Sequence, residues 1–188
     1  MLELDTWLEI AKSAALRGGR YLLENQDKEL KVLLNEGRDI KLQLDTDTEQ
    51  LIKDSLSSQS AFSILGEETG LSNDLGEFYW VVDPLDGTSN FLRDIPISCV
   101  SIALMQNLTP ILGVIYDFNH DDLYFGHLES KAFLNQREIT VSNYSKKSQS
   151  TLVTGIPAKT NYSDNELSLI HISEPTRLLS ISYAVFCL

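Results

Sequence analysis

Two apolar runs, Phe62-Ser-Ile-Leu65 and Phe78-Tyr-Trp-Val-Val82, each give way abruptly to acid. Gly66-Glu67-Glu68 follows the first, and Asp83-Pro84-Leu85-Asp86-Gly87-Thr88 follows the second. Short runs of this content, bounded by turn residues, predict strands. Side chains at the ends of two strands can converge on one point, and converging carboxylates repel unless a hard cation sits between them. The pair of runs therefore predicts a magnesium site at the mouth of a sheet. Beside it, Gly87-Thr88 suits a helix start whose N–H groups hold a phosphate. Asp-Pro and Asp-Gly are also strong turn signals, so each taken singly reads as a turn. A calcium-binding or purely structural module would fit the acidic turns but not the Gly-Thr anion seat.

Local patterning supplies the frame around these runs. Leu4, Trp7, Leu8, Ala11, Ala15 and Leu22 recur at helical spacing, with Thr6 and Glu9 as a candidate capping box. Gly18-Gly19 interrupts that stripe at about 1 kcal/mol each relative to alanine, which predicts a close contact there. Leu30–Leu34 and Ile40–Leu44, joined by Asn35-Glu-Gly37, read as a hairpin. A second helix is expected to open after Asp45, with Thr46 and Glu49 as its capping box and Leu51, Ile52 and Leu56 facing inward. Thr69–Gly76 reads as a polar loop. Cys99–Met105, Ile111–Tyr116 and Leu123–His127 read as an antiparallel meander, and Thr151–Thr154 as a further strand after a polar crossover. Strands grouped between helices give an α+β layer structure.

The run Gly66-Glu67-Glu68, followed by Trp80-Val-Val-Asp83-Pro-Leu-Asp86-Gly-Thr88-Ser-Asn-Phe91, resembles the inositol monophosphatase family of magnesium-dependent, lithium-sensitive phosphatases. Gly113-Val-Ile-Tyr116, Ala132-Phe-Leu-Asn135 with Ile139-Thr-Val-Ser142, and Thr154-Gly-Ile-Pro157 support the resemblance, which runs to about Glu166. It implies an α/β/α/β/α sandwich and a phosphomonoesterase acting through water activated by two Mg²⁺ ions. The substrate class would be a small polyol or sugar phosphate such as myo-inositol monophosphate, with adenosine 3′,5′-bisphosphate as the rival.

Carried over by position, the resemblance makes Glu67, Asp83 and the Leu85 carbonyl ligands of one Mg²⁺, with Asp83 and Asp86 sharing a second. Asp45 and Thr88 become the catalytic pair, the Thr88 hydroxyl donating to Asp45. Glu67, Leu85, Asp86, Gly87 and Thr88 line the substrate side, the last two offering N–H groups to the phosphate. The alternative reading of Asp45 is a helix N-cap. Glu68 is expected to be solvated or to stand behind the ligands. Lys41 and Arg38 either reach an anion or are solvated hairpin cations. His120 and His127 read as surface residues, and Tyr116, Tyr124 and Phe125 as packing.

Residues 167–188 read differently. Leu167–Arg177 and Ile181–Leu188 resemble the translation of a short-read sequencing adapter, and such scars are set aside before fold reasoning. The expected organisation is an α+β metal-binding domain over 1–142, the start of a truncated α/β domain over 143–166, and adapter read-through over 167–188. The resemblance implies that a further metal-binding aspartate is missing, so the 188-residue chain is expected to turn over little or nothing.

A net charge of −12 disfavours nucleic acid polymers and anionic membranes as partners. Cys99 and Cys187 provide no disulfide framework, and Met1 leads straight into an amphipathic segment. A cytoplasmic location is expected, with a homodimer for the full-length protein.

Overall fold

The computed structural model describes residues 3–36, 39–72 and 74–143. The expected strand at 151–154, most of segment 143–166, all of 167–188, Arg38 and the hairpin turn at 37–38 lie outside the described residues. Two helices pack on one face of an eight-stranded sheet, an α+β arrangement as expected from the sequence. The elements are α1 (Leu4–Asn25), β1 (Val32–Glu36), β2 (Asp39–Leu42), α2 (Gln43–Ser57), β3 (Ser63–Gly66), β4 (Gly70–Leu71) and β5 (Phe78–Asp86). They continue with α3 (Thr88–Phe91), β6 (Cys99–Gln106), β7 (Thr109–Asp117), β8 (Asp122–His127), β9 (Ala132–Leu134) and β10 (Arg137–Ile139). The large sheet runs β10-β9-β8-β7-β6-β5-β3-β4, and β1-β2 forms a separate hairpin.

The helix stripe does what its spacing predicts. Leu4, Leu8, Ala11, Ala15 and Leu22 are buried together with Trp80, Val82, Val100, Ile102, Leu104 and Val114 in one core. Leu4 forces the helix to begin there, earlier than a Thr6–Glu9 box allows. Glu3 stands at the N-cap without a side-chain bond, and Glu9 instead pairs with Lys12 at 2.7 Å. The glycines allow the close approach: a Cβ on Gly19 would lie 2.4 Å from Tyr116 Cδ1, and one on Gly18 would lie 2.8 Å from Ile52 Cδ1.

Helix α2 also opens earlier than read, at Gln43. Fully buried Leu42 ends the hairpin, and its N–H donates to Asp45 Oδ2 at 2.9 Å. Asp45 thus lies in the first turn as a cap acceptor, and Thr46 and Glu49 form no box.

The meander is antiparallel as read, with Asn107 and Asp121 taking left-handed backbone at its turns (φ 55° and 56°). Two packing expectations need correction. Tyr124 alternates to the opposite face from Tyr116 and Phe125 and is exposed. His127 is buried, not superficial, because its register on β8 turns it toward α1. There its Nε2 meets Asp5 Oδ1 at 3.1 Å and its Nδ1 accepts the Glu129 N–H. Among the described residues no helix is long and apolar enough to cross a membrane.

The glycine contacts give an ordered pair of outcomes. The Tyr116 hydroxyl is tied to Asp121 at 2.8 Å, so its ring cannot swing aside, whereas Ile52 Cδ1 is the free end of a flexible chain. Gly19→Ala should destabilise by about 1–3 kcal/mol, as overpacked cores do. Gly18→Ala should stay within about 1 kcal/mol of the parent, helix propensity offsetting the contact. Urea unfolding of both variants checks the order, and equal effects would contradict it.

Candidate metal and phosphate site

Parallel pairing is what brings the acids together. β3 runs beside β5 in parallel with Gly66 opposite Val82, and the Glu67 N–H donates to the Val82 carbonyl at 3.1 Å. Glu67 therefore follows β3 at the level where Asp83 follows Val82, and both side chains project from the face opposite the helices. The apolar runs thus end side by side, as the sequence implied.

Asp86 joins them through an irregularity. Asp83 pairs with Ser101 and Asp86 with Cys99, an advance of three residues on β5 against two on β6. In a regular strand, residues three apart face opposite ways; one extra residue cancels that alternation and turns Asp83 and Asp86 to the same side. Pro84 lies in this bulge, where its missing N–H breaks no ladder bond. The Leu85 N–H donates to Asp83 Oδ1 at 3.1 Å, fixing that carboxyl. Asp-Pro-Leu-Asp is thus a bulged continuation of the strand and not the pair of tight turns its dipeptides suggest.

The electrostatics follow from this convergence. Burial, then the charges of Glu67 and Asp86, push the Asp83 carboxyl up to about 9, and a hydrogen bond joins it to Glu67. Burial also raises Glu67, with Glu68 and Asp86 adding to the repulsion. Burial and the neighbouring negative charges thus favour the protonated form of both carboxyls, Asp83 most of all. Among the described residues no three acids, histidines or cysteines stand as a ready-made ligand set. The donors nevertheless fit a hard divalent cation: all are oxygens, and a cation in place of a bound proton relieves the repulsion that lifts both groups.

Asp45 sits at the head of α2, 1 % exposed, with Oδ2 capping Leu42 and Oδ1 buried without a partner. Burial raises its carboxyl to about 7, opposed by the Leu42 bond and reinforced by Glu68 and Glu67. The N-cap-type role and an open acceptor atom thus coexist in one side chain. The expected Thr88–Asp45 bond is not formed. The Thr88 hydroxyl donates to the Leu85 carbonyl at 3.1 Å, the nearer acceptor across the Gly87 turn. Gly87 has φ 92°, and a Cβ there would lie 2.7 Å from the Ile97 carbonyl, so the turn requires glycine. In the single turn of α3, Asn90 and Phe91 donate back to Gly87 at 2.8 and 2.9 Å, while the leading N–H groups have no intrahelical acceptor.

Glu68 is not solvated: Lys41 Nζ meets its Oε2 at 3.0 Å. Cys99 lies opposite Asp86, and burial with the Asp86 and Asp83 charges lifts its thiol to about 12, leaving it inert. His120 is exposed and held by Asp117 at 2.8 Å, as a surface histidine should be. Sequence reasoning passed over two groups around the site. Asn119 Nδ2 donates to the Ser98 carbonyl at 3.0 Å, tying the β7–β8 turn to the strand entry beside Gly87. Glu49, read as a cap, is a buried acceptor under the Glu67 turn; an acid on the inward stripe Glu49, Ile52, Leu56 was the available signal.

The fold and the acidic bulge are those of a known protein class. The sequence profile of the inositol monophosphatase family matches residues 3–178, and the chain belongs to that family. It is 35 % identical over 162 residues to a fructose-1,6-bisphosphatase/inositol-1-monophosphatase of Aquifex aeolicus, covering 85 % of this chain and 61 % of that protein. It is 36 % identical over 157 residues to an inositol-1-monophosphatase of Synechocystis, covering 81 % and 54 %. Among solved structures, the extragenic suppressor protein suhB of Bartonella henselae matches with a TM-score of 0.68 at 35 % identity, over 72 % of this chain and 54 % of that one. The inositol monophosphatase of Anabaena matches with a TM-score of 0.65 at 36 % identity, over 76 % and 52 %. The chain spans little more than half the length of the curated relatives it matches.

A proton-linked outcome follows. Asp83 is raised in the folded state, so the fold binds its proton more tightly than the unfolded chain does. That contribution is fully present below about pH 4 and is lost as pH rises through about 9. At pH 8 without divalent ions, Asp83→Asn should raise the melting temperature by at least about 2–4 °C, the shift that about 1 kcal/mol gives a domain of this size. Mg²⁺ should stabilise the parent and not the variant. A destabilised metal-free Asp83→Asn would contradict this arrangement.

Proposed function

We propose that this chain carries the metal-binding portion of a magnesium-dependent phosphomonoesterase. Its substrate is a small polyol or sugar phosphate, with myo-inositol monophosphate the reference compound. The observation that supports this most is the buried Glu67–Asp83 pair with Asp86 turned to the same face by the β5 bulge. The charge of Asp86 acts on Glu67 and Asp83, and that of Glu67 on Asp83 and Asp45, an environment that repels a phosphate unless cations are held there.

Glu67, Asp83 and the Leu85 carbonyl are the groups that would hold one Mg²⁺, and Asp83 with Asp86 a second. Bound there, the ions would supply Lewis-acid polarisation of the phosphoryl oxygens and acidify a water for attack. The protein's own groups do the positioning. Gly87 and Thr88, at the start of α3, are the proposed N–H donors to the phosphate. Thr88 and Asp45 form the proposed proton-handling pair. The Thr88 hydroxyl donates to the Leu85 carbonyl, and the Asp45 Oδ1 is buried without a partner. With a carboxyl near 7, Asp45 accepts a proton at neutral pH. The wider acidity of the chain, −12 overall, fits a small substrate drawn in by bound cations and not a nucleic acid polymer. A cytoplasmic setting and a homodimer accompany this reading as expectations.

The test uses the full-length protein with phosphate release as readout. Turnover of myo-inositol monophosphate should require Mg²⁺ and vanish with chelator. Thr88→Ala should lower kcat by about 10²–10⁴-fold, the range of a lost acid–base contributor. Metal-independent turnover, or turnover of adenosine 3′,5′-bisphosphate alone, would overturn the proposed substrate or chemistry.

A further inference from the structure

The Glu67 turn is fastened from behind the sheet by a carboxylate that the proposed reaction does not use. Glu49 lies on the inward face of α2 and is fully buried. Its Oε2 accepts the Glu68 N–H at 2.7 Å, and its Oε1 accepts the Thr69 N–H at 3.2 Å and the Thr69 hydroxyl. Lys53, one helical turn on, reaches Oε1 at 3.0 Å and also donates to the Thr69 hydroxyl. Two consecutive amides are therefore held by one side chain, where the chain leaves β3 and can no longer use ladder bonds.

The space for this carboxylate is created by Gly66. A Cβ on Gly66 would lie 2.4 Å from Glu49 Cδ and Oε1 and 2.5 Å from Oε2. Gly66 and Val82 face the helices, whereas Glu67 and Asp83 face the other way, so Glu49 touches the turn's backbone and not the acids across it. A buried carboxylate with a paired lysine is a costly group to place in a core, and removing either partner strands the other. Here it is spent on the orientation of one peptide segment.

We propose that Glu49, seated over Gly66 and neutralised by Lys53, is a positioning residue that fixes the Glu67–Thr69 backbone and so aims Glu67 at Asp83 and the cation. This rests on the metal-site reading for its consequence, though not for its geometry. Groups that orient ligands from behind typically change metal affinity by about 10–100-fold when removed. Glu49→Gln keeps the shape, but removes the charge that faces Lys53 and turns an NH₂ group toward one or other of the two amide N–H donors. Gly66→Ala displaces the carboxylate without altering its chemistry.

The experiment compares the parent 188-residue chain with Glu49→Gln, Gly66→Ala and Leu56→Ala, the last a pure core truncation on the same helix. Mg²⁺ affinity is read by calorimetric titration, and hydrogen exchange of the Glu68 and Thr69 amides is read in the metal-free proteins. Glu49→Gln and Gly66→Ala should each weaken Mg²⁺ binding by about 10–100-fold and unprotect both amides. Leu56→Ala should lower the melting temperature while leaving affinity and those amides near parental values. Parental affinity and protection in Glu49→Gln, or the same losses in Leu56→Ala, would overturn the inference. A parent that binds no Mg²⁺ would count against the proposed function, and the exchange measurement would still decide the role of Glu49.

Discussion

Two neighbouring buried carboxyl groups, Glu67 and Asp83, set the terms for the rest of this structure. Their contact is unfavourable when both are ionised, and burial sharpens the repulsion because little water is present to screen it. A fold that still brings them together must obtain the energy elsewhere. The source is the apolar core beneath: Trp80, Val82, Ile102 and Leu104 pack against α1 and anchor β5 and β6 up to the residue before the acids. Sheet and helix layer thus act as a rigid mount that holds charged groups where they would not go alone.

The acids are then aimed by backbone devices, each a departure from regular structure. The β5 bulge turns Asp86 to the face of Asp83. Left-handed Gly87 presses against the Ile97 carbonyl and starts the one-turn helix. The Glu67 turn is clasped by Glu49. Strained or irregular backbone of this kind concentrates where side chains must be placed against their preferences. Asp45 adds a fourth carboxyl, poised by burial near neutrality and retaining one open oxygen.

Much of this could be read from residue order. The strands carrying Glu67 and Asp83 at their ends, the meander and the α1 stripe follow from periodicity and abrupt polarity changes. What escaped were features decided by tertiary contact. The helix starts moved because Leu4 and Leu42 are needed in the core, which overrode the local capping signals of Thr6 and Thr46. His127 is buried because β8 register turns it toward α1. Asp-Pro-Leu-Asp reads locally as turns, yet pairing with β6 keeps it extended. Glu49 reads locally as a cap because its partners, the Glu68 and Thr69 amides, are some twenty residues away in sequence.

The proposed metal site turns on one exchange, a divalent ion for a proton, at the Glu67–Asp83 pair. Calorimetric titration of the chain with Mg²⁺ at about pH 8, repeated in buffers of different ionisation enthalpy, measures that exchange directly. The predicted result is saturable binding that releases about one proton per ion and is lost in Asp83→Asn, since ligands must shed protons to bind metal. Absence of binding, or binding with no proton released and no change in Asp83→Asn, would contradict it.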